Sequence, residues 1–321
     1  MSAGPLVVGI VGAGRVGAVL GAALVAAGHS VVAVAATSGA SRKRAAQLLP
    51  DVPIRPADDV ARAATDLLLL AVPDDALAGV AAGLRAGWST TKAVAHTSGA
   101  HGTAVLGHVA GMALHPAMTF TGEVADLDRL PGTAWGVTAR DRAFAARIVT
   151  DLGGVPEWVA EDDRPLYHAA LAHGANHLVT LVNEAADLLR AAGVERPARV
   201  LAPLLHAALD NALRLGDAAL TGPVSRGDAG TVAKHLDRLP ADAVPAYLAL
   251  ARRTADRALA SGRLTPHDAA LVLEVLTVIP DSDLGVVVRA NGSESHVGAT
   301  TTPRSRGTEG PGSRGNEMDK A

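Results

Sequence analysis

The chain has 321 residues, 49% of them hydrophobic, enough for two domains of about 100–200 residues with large cores. A formal net charge of −3 with no long basic run, and only 2% aromatic residues, argue against a nucleic-acid partner, which would call for a basic surface and stacking rings. Cysteine is absent, which excludes disulfides and thiolate chemistry, and no apolar run reaches the ~18 residues of a membrane span. No cleavable leader precedes the first strand, so the expectation is a soluble, cytoplasmic protein without a membrane partner.

The β-branched run Val7–Val11 ends in Gly12-Ala13-Gly14-Arg15-Val16-Gly17, a G-x-G-x-x-G turn. An Ala/Leu/Val-rich helix follows, from Arg15 to about Ala27, and His29–Val34 reads as a second strand. This is a βαβ unit whose first turn suits a dinucleotide pyrophosphate. Gly12 permits the tight turn, Gly14 has no side chain to block the phosphates, and Gly17 lets the helix approach the strand. The helix N-terminus then offers free N–H groups and a positive dipole end to the anion. Past the second strand, where a carboxylate would select NAD, the segment runs Ala35-Ala36-Thr37-Ser38-Gly39-Ala40-Ser41-Arg42-Lys43-Arg44. Hydroxyls and basic groups there suit a 2′-phosphate, so NADP is expected over NAD, with Thr37, Ser38 and Arg42 as contacts. The alternative is that the basic residues form the solvated face of a helix.

Ser41–Leu49 reads as a helix ended by Pro50, and Thr65–Pro73, with its apolar Leu67–Val72 run, as a buried parallel strand. A helix over Asp75–Leu84 comes next, then a strand over Lys92–Gly99 ending in a polar turn and a short strand over Ala110–Pro116 running into a loop. Trp135–Thr138 and Val155–Val159 are later strands around a helix from Arg140 to Leu152. Strand/helix alternation implies an α/β, Rossmann-type doubly wound sheet over 1–159. From Asp162 to Ala192 there is one long helical stretch, then helices at about Arg196–Leu215, Asp228–Arg238, Ala243–Ser261 and Thr265–Thr277. Residues 160–280 are therefore expected to form an all-α C-terminal domain. Beyond Pro280 the composition turns to Gly, Ser, Thr, Arg and Pro, and 281–321 is expected to be a disordered tail.

Asp66–Asp75 resembles the strand-end loop of the 6-phosphogluconate dehydrogenase-like superfamily, which includes ketopantoate reductase and pyrroline-5-carboxylate reductase. His96-Thr97-Ser98-Gly99, Leu114-His115-Pro116, Tyr167-His168-Ala169-Ala170, Asn176 and Leu220–Asp228, with Thr231 and His235-Leu236, match more narrowly. They resemble bacterial proteins that join a Rossmann-like domain to a domain of unknown function numbered 2520. The resemblance runs from about Leu6 to Thr277. It implies NADP(H)-linked chemistry and a helical domain that often builds a dimer; Val72, Pro73 and Ser98 fall at the strand ends that face the cofactor. In better-understood relatives the long helix carries a Lys four residues before an Asn, as acid/base and orienting group. This chain has Asn176, but Ala172 stands where the Lys would be.

Hydride transfer leaves the protein one proton to handle, and histidine suits that near neutral pH. His168 and His173 are the candidates, with Asn176 to orient the substrate; on an even α-helix His173, Asn176, Thr180, Asn183 and Glu184 share one stripe. Arg226, in the turn before Asp228, offers a planar fork for a carboxylate. His115-Pro116 reads as a loop anchor near the cleft. His173 and His177 are spaced as a metal pair but lack a third ligand, so no metal is expected. The reading is an NADP-dependent oxidoreductase reducing a C=O or C=N bond of a small carboxylated metabolite, working as a homodimer. The alternatives are a non-catalytic NADP(H)-binding sensor or partner protein and a structural dimerisation module without cofactor.

Overall fold

The structure is a computed structural model that describes residues 4–108 and 110–277. It divides into two compact units between Leu204 and Leu205. The expected tail over 281–321 lies outside the described residues.

The first unit is built on seven strands, β1 (Val7–Val11), β2 (Ser30–Ala35), β3 (Leu67–Leu70), β4 (Ala93–His96), β5 (Gly111–Pro116), β6 (Ala134–Ala139) and β7 (Val155–Trp158). They lie in the order β2-β1-β3-β4-β5-β6-β7. The first five are mutually parallel; β6 runs antiparallel to β5, and β7 parallel to β6. The helices of this sheet are α1 (Arg15–Ala26), α2 (Gly39–Leu48), α3 (Ala57–Ala63), α4 (Asp74–Leu84) and α5 (Arg142–Asp151). The unbroken Leu67–Leu70 run shows why the sheet is doubly wound. Leu67 and Leu69 join the apolar layer of Leu20, Leu24 and Ile148 under α1 and α5, while Leu68 and Leu70 join that of Val60, Leu77 and Ala81 under α3 and α4. All four are buried, so each face of β3 needs its own helix layer.

Two expectations need adjustment. Helix α2 begins at Gly39 rather than Ser41, because Ser38 and Ser41 close a reciprocal capping box at its start. Helix α3 was not foreseen; its seven residues are too few to show a clear period.

After β7 the chain is helical to Thr277, and among the described residues no further strand occurs. The stretch expected as one helix from Asp162 to Ala192 is interrupted. It consists of α6 (Arg164–Leu171), a π-helical turn over Ala172–Asn176, and α7 (His177–Ala191). The His177 N–H reaches back to the Ala172 carbonyl, five residues away. Helix α8 (Pro197–Leu215) follows, and the second unit is completed by α9 (Ala229–Arg238), α10 (Val244–Ala260) and α11 (Pro266–Thr277). Val232, Leu248, Ala255, Val272 and Leu276 form its core. Among the described residues no helix is long and apolar enough to cross a membrane.

Candidate functional site: a dinucleotide cleft and a histidine cluster at the sheet edge

The strand order turns back between β1 and β3, and an open cleft of about 990 Å³ lies at the carboxyl ends of β1, β2 and β3. This is where an open α/β sheet binds its ligand. Gly12, Ala13, Gly14, Thr37, Ser38, Arg42, Val72 and Pro73 all line it. Gly12 has φ +103°, and a Cβ on it would strike the Ala71 carbonyl. A Cβ on Gly17 would strike the Gly12 carbonyl, so Gly17 supplies the close helix–strand approach. Gly14 is different: a Cβ there would meet nothing within 4 Å, so the space above it is free for a phosphate. No side chain caps α1, which leaves its first-turn amides to an anion. Arg15, Val16 and Gly17 do not line the cleft: Arg15 is exposed, and Val16 packs against the core.

Sequence reasoning missed Ile54, Arg55 and Pro56, which line the far side of the cleft. The segment runs as an extra edge beside β2, with Val34 N–H bonded to the Pro53 carbonyl and Arg55 N–H to the Val34 carbonyl, each at 3.0 Å. Pro53 and Pro56 hold the residues before them extended, which is the signal that was available. Arg55 and Arg42 thus both face the cleft, and Arg42 Nε is held at 3.3 Å from the Ala36 carbonyl. A glycine cradle, hydroxyls and two guanidiniums fit a phosphorylated dinucleotide.

Farther along the same sheet edge, β4 and β5 end in a polar cluster. Ser98 is buried; its Oγ lies 3.0 Å from His101 Nδ1, so it is committed to its own turn and does not line the cleft. His96 is fully buried, with Nε2 3.0 Å from the Gly102 carbonyl and Nδ1 accepting from Ser98 N–H. Burial pulls it down to about 4. Arg164, at the start of α6, is also fully buried and donates to the carbonyls of Ser98, His101 and Gly136. It ties α6 to the strand ends. One turn on, Tyr167 Oη lies 3.0 Å from His115 Nδ1, and the His168 ring meets that of His115 edge-on, centroids 6.1 Å apart. A Cβ on Gly99 would come within 2.6 Å of His168 Cδ2 and 3.1 Å of His115 Nε2.

Of the catalytic candidates, the structure therefore brings His168 to the sheet edge, in company with His115 rather than with His173. His173 and Asn176 are exposed on the π turn; His173 Nδ1 lies 3.2 Å from His177 Nδ1. The stripe read on an even α-helix does not hold through Ala172–Asn176, because the wider turn takes up one more residue. Gly174, at its centre, was the local signal. Arg226 belongs to the second unit, where it lines an open pocket with Thr221, Ser225 and Arg263. Its turn is closed by Asp228, which caps α9 through Thr231 N–H. Among the described residues no three His, Cys, Asp or Glu side chains are grouped to hold a metal.

Comparison with known proteins agrees with this architecture. A Rossmann-like domain model matches residues 1–118, and the model of a domain of unknown function, DUF2520, matches residues 133–254. No curated protein matches the chain in sequence. Among solved structures, BF3122 from Bacteroides fragilis, provisionally assigned as an NADP oxidoreductase, is similar with a TM-score of 0.67 at 24% identity, over 78% of this chain and 98% of that one. The protein TM1727 from Thermotoga maritima gives a TM-score of 0.56 at 19% identity, over 84% of this chain and 98% of its own. Pyrroline carboxylate reductase from Plasmodium falciparum, with NADP bound, gives 0.52 at 10% identity, over 83% and 98%. These likenesses are ones of fold. The two family models together place a Rossmann-like match over residues 1–118 and a DUF2520 match over residues 133–254.

Proposed function

We propose that the chain is an NADP(H)-dependent oxidoreductase that reduces a C=O or C=N bond of a small carboxylated metabolite, in the cytoplasm and as a homodimer. The observation that carries this reading is the make-up of one sheet edge. A glycine cradle and two guanidiniums, with no carboxylate at the end of β2, sit beside strand ends that carry the buried His96 and the half-buried His115. When bound, the nicotinamide supplies the hydride. The protein's share is to hold the dinucleotide, orient the acceptor and provide a proton. Arg42 and Arg55 take the 2′-phosphate, His168 handles the proton, and Asn176 orients the substrate. Within the second unit, Arg226 and Arg263 line a pocket of their own, whose guanidinium forks suit a carboxylate.

Titration with NADPH and NADH tests the cofactor part. A charge-assisted contact is worth about 1.5–3 kcal/mol, so NADPH should bind about tenfold or more tighter than NADH. Arg42→Ala and Arg55→Ala should each erode that preference while leaving NADH affinity unchanged. Equal binding of both cofactors by the unaltered protein overturns the assignment. Following NADPH oxidation against a panel of 2-oxo acids and cyclic imino acids tests the chemistry. One observation favours a second reading, a non-catalytic NADP(H) sensor: Ala172 stands where relatives carry a Lys. Tight NADPH binding with no turnover across the panel would select it.

A further inference from the structure

His115 was expected to be a loop anchor, but its surroundings define its protonation and leave one nitrogen unused. It pairs across the sheet with Gly136, the residue against which Tyr167 Oη packs. Burial raises Tyr167 and keeps its phenol protonated, and that O–H, 3.0 Å from His115 Nδ1, can donate to it. Nδ1 is then an acceptor, and the neutral ring carries its proton on Nε2. Among the described residues Nε2 has no hydrogen-bond partner, and it lies against Gly99 next to His168, where only the absence of a Cβ on residue 99 lets both rings approach. The ring is half-buried, and Arg164, His168, His96, Tyr167 and Asp74 surround it.

We propose that His115 is a catalytic hydrogen-bond donor whose Nε2–H holds and polarises the oxygen or nitrogen of the substrate's C=O or C=N bond. The proposal rests on the oxidoreductase reading. In the step, the substrate carbon receives a hydride, with reduced nicotinamide as the reductant, and the π electron pair moves to the oxygen or nitrogen. That atom takes a proton from His168, which regains one from solvent. His115 keeps its proton throughout. Burial first, then the charges of Arg164 and His168, with Asp74 opposing, bring the imidazole down to about 4. It is therefore neutral at neutral pH, and a neutral imidazole is a donor rather than a proton source. Tyr167 is a positioning residue that fixes the tautomer.

Nitrogen-15 NMR of the full chain labelled at histidine reads the tautomer without any ligand. His115 should show a single Nε2–H tautomer that stays neutral down to about pH 5, and Tyr167→Phe should mix the two tautomers. An Nδ1–H tautomer, or an imidazolium at pH 7, overturns the proposal. The second arm is kcat/KM for NADPH oxidation with the best acceptor in the panel of 2-oxo and cyclic imino acids. His115→Ala should lower it about a hundredfold, and His115→Asn, which still donates, should recover part of the loss; NADPH affinity should stay unchanged in both. Equal losses in the two variants, or none, overturn the donor role alone. An unaltered protein that turns over no acceptor overturns the oxidoreductase reading and, with it, the substrate role of His115.

Discussion

At the scale of single residues, neighbouring glycines of one motif separate into binding and packing roles. Gly14 faces open space, so Gly14→Val should leave the melting temperature unchanged and abolish binding of NADPH and NADH by filling the pyrophosphate position. Gly17 lies against the Gly12 carbonyl, so even Gly17→Ala should lower the melting temperature. Normal NADPH affinity in folded Gly14→Val would show that the first turn is not the phosphate site. The histidines at the sheet edge give a second test. His96 is pulled from 6.5 to about 4 by burial, so the folded chain holds fewer protons than the unfolded chain between those values. Stability from its neutral form is complete above 6.5 and is lost as pH falls toward 4. His115 acts in the same direction. The melting temperature should therefore drop as pH is lowered through this window. His96→Gln, which keeps a donor and an acceptor without titrating, should flatten the slope; an unchanged slope would count against a neutral buried His96.

At the scale of elements, what was legible followed from burial patterns within short stretches. The Leu67–Leu70 strand and the glycine turn into α1 each carry their explanation locally, and both stand close to where they were expected. The histidine cluster was not legible, because His115 and Tyr167 are 52 positions apart. Only the antiparallel β5–β6 pairing and the buried Arg164 clamp bring them together. The π turn was illegible for a different reason: apolar periodicity continues on either side, and one surplus residue changes only the phase. That surplus is testable. Deleting Gly174 should turn α6 and α7 into one continuous α-helix. The turn itself has no buried residue, so the melting temperature should stay within a few degrees. If Asn176 orients the substrate, re-phasing it should lower kcat/KM about tenfold or more without affecting NADPH affinity. Full activity in this variant would remove Asn176 from the site.

At the scale of the whole molecule, the helices after the sheet carry more apolar surface than a lone chain covers. Helix α7 has no buried residue, yet Leu178, Val179 and Leu181 are all well exposed along it. Helix α8 likewise exposes Val200, Leu204, Leu209 and Leu213, the last at 81%. Single exposed leucines are ordinary on a protein surface, but repeated ones along successive helices mark an interaction surface. A second copy of this chain is the occupant that the homodimer proposal puts on these helices. A second copy would also explain why α7 is helical at all, since a helix draws most of its stability from packing an apolar face. Sedimentation at micromolar concentration should show a dimer. Val179→Glu combined with Leu213→Glu should yield a monomer, because each would place a carboxylate on the surface expected to be covered. The sheet does not depend on these side chains, so the double variant should keep its NADPH affinity. A stable monomer of the unaltered chain at that concentration would refute the dimer and leave the exposed leucines of α7 and α8 to another partner.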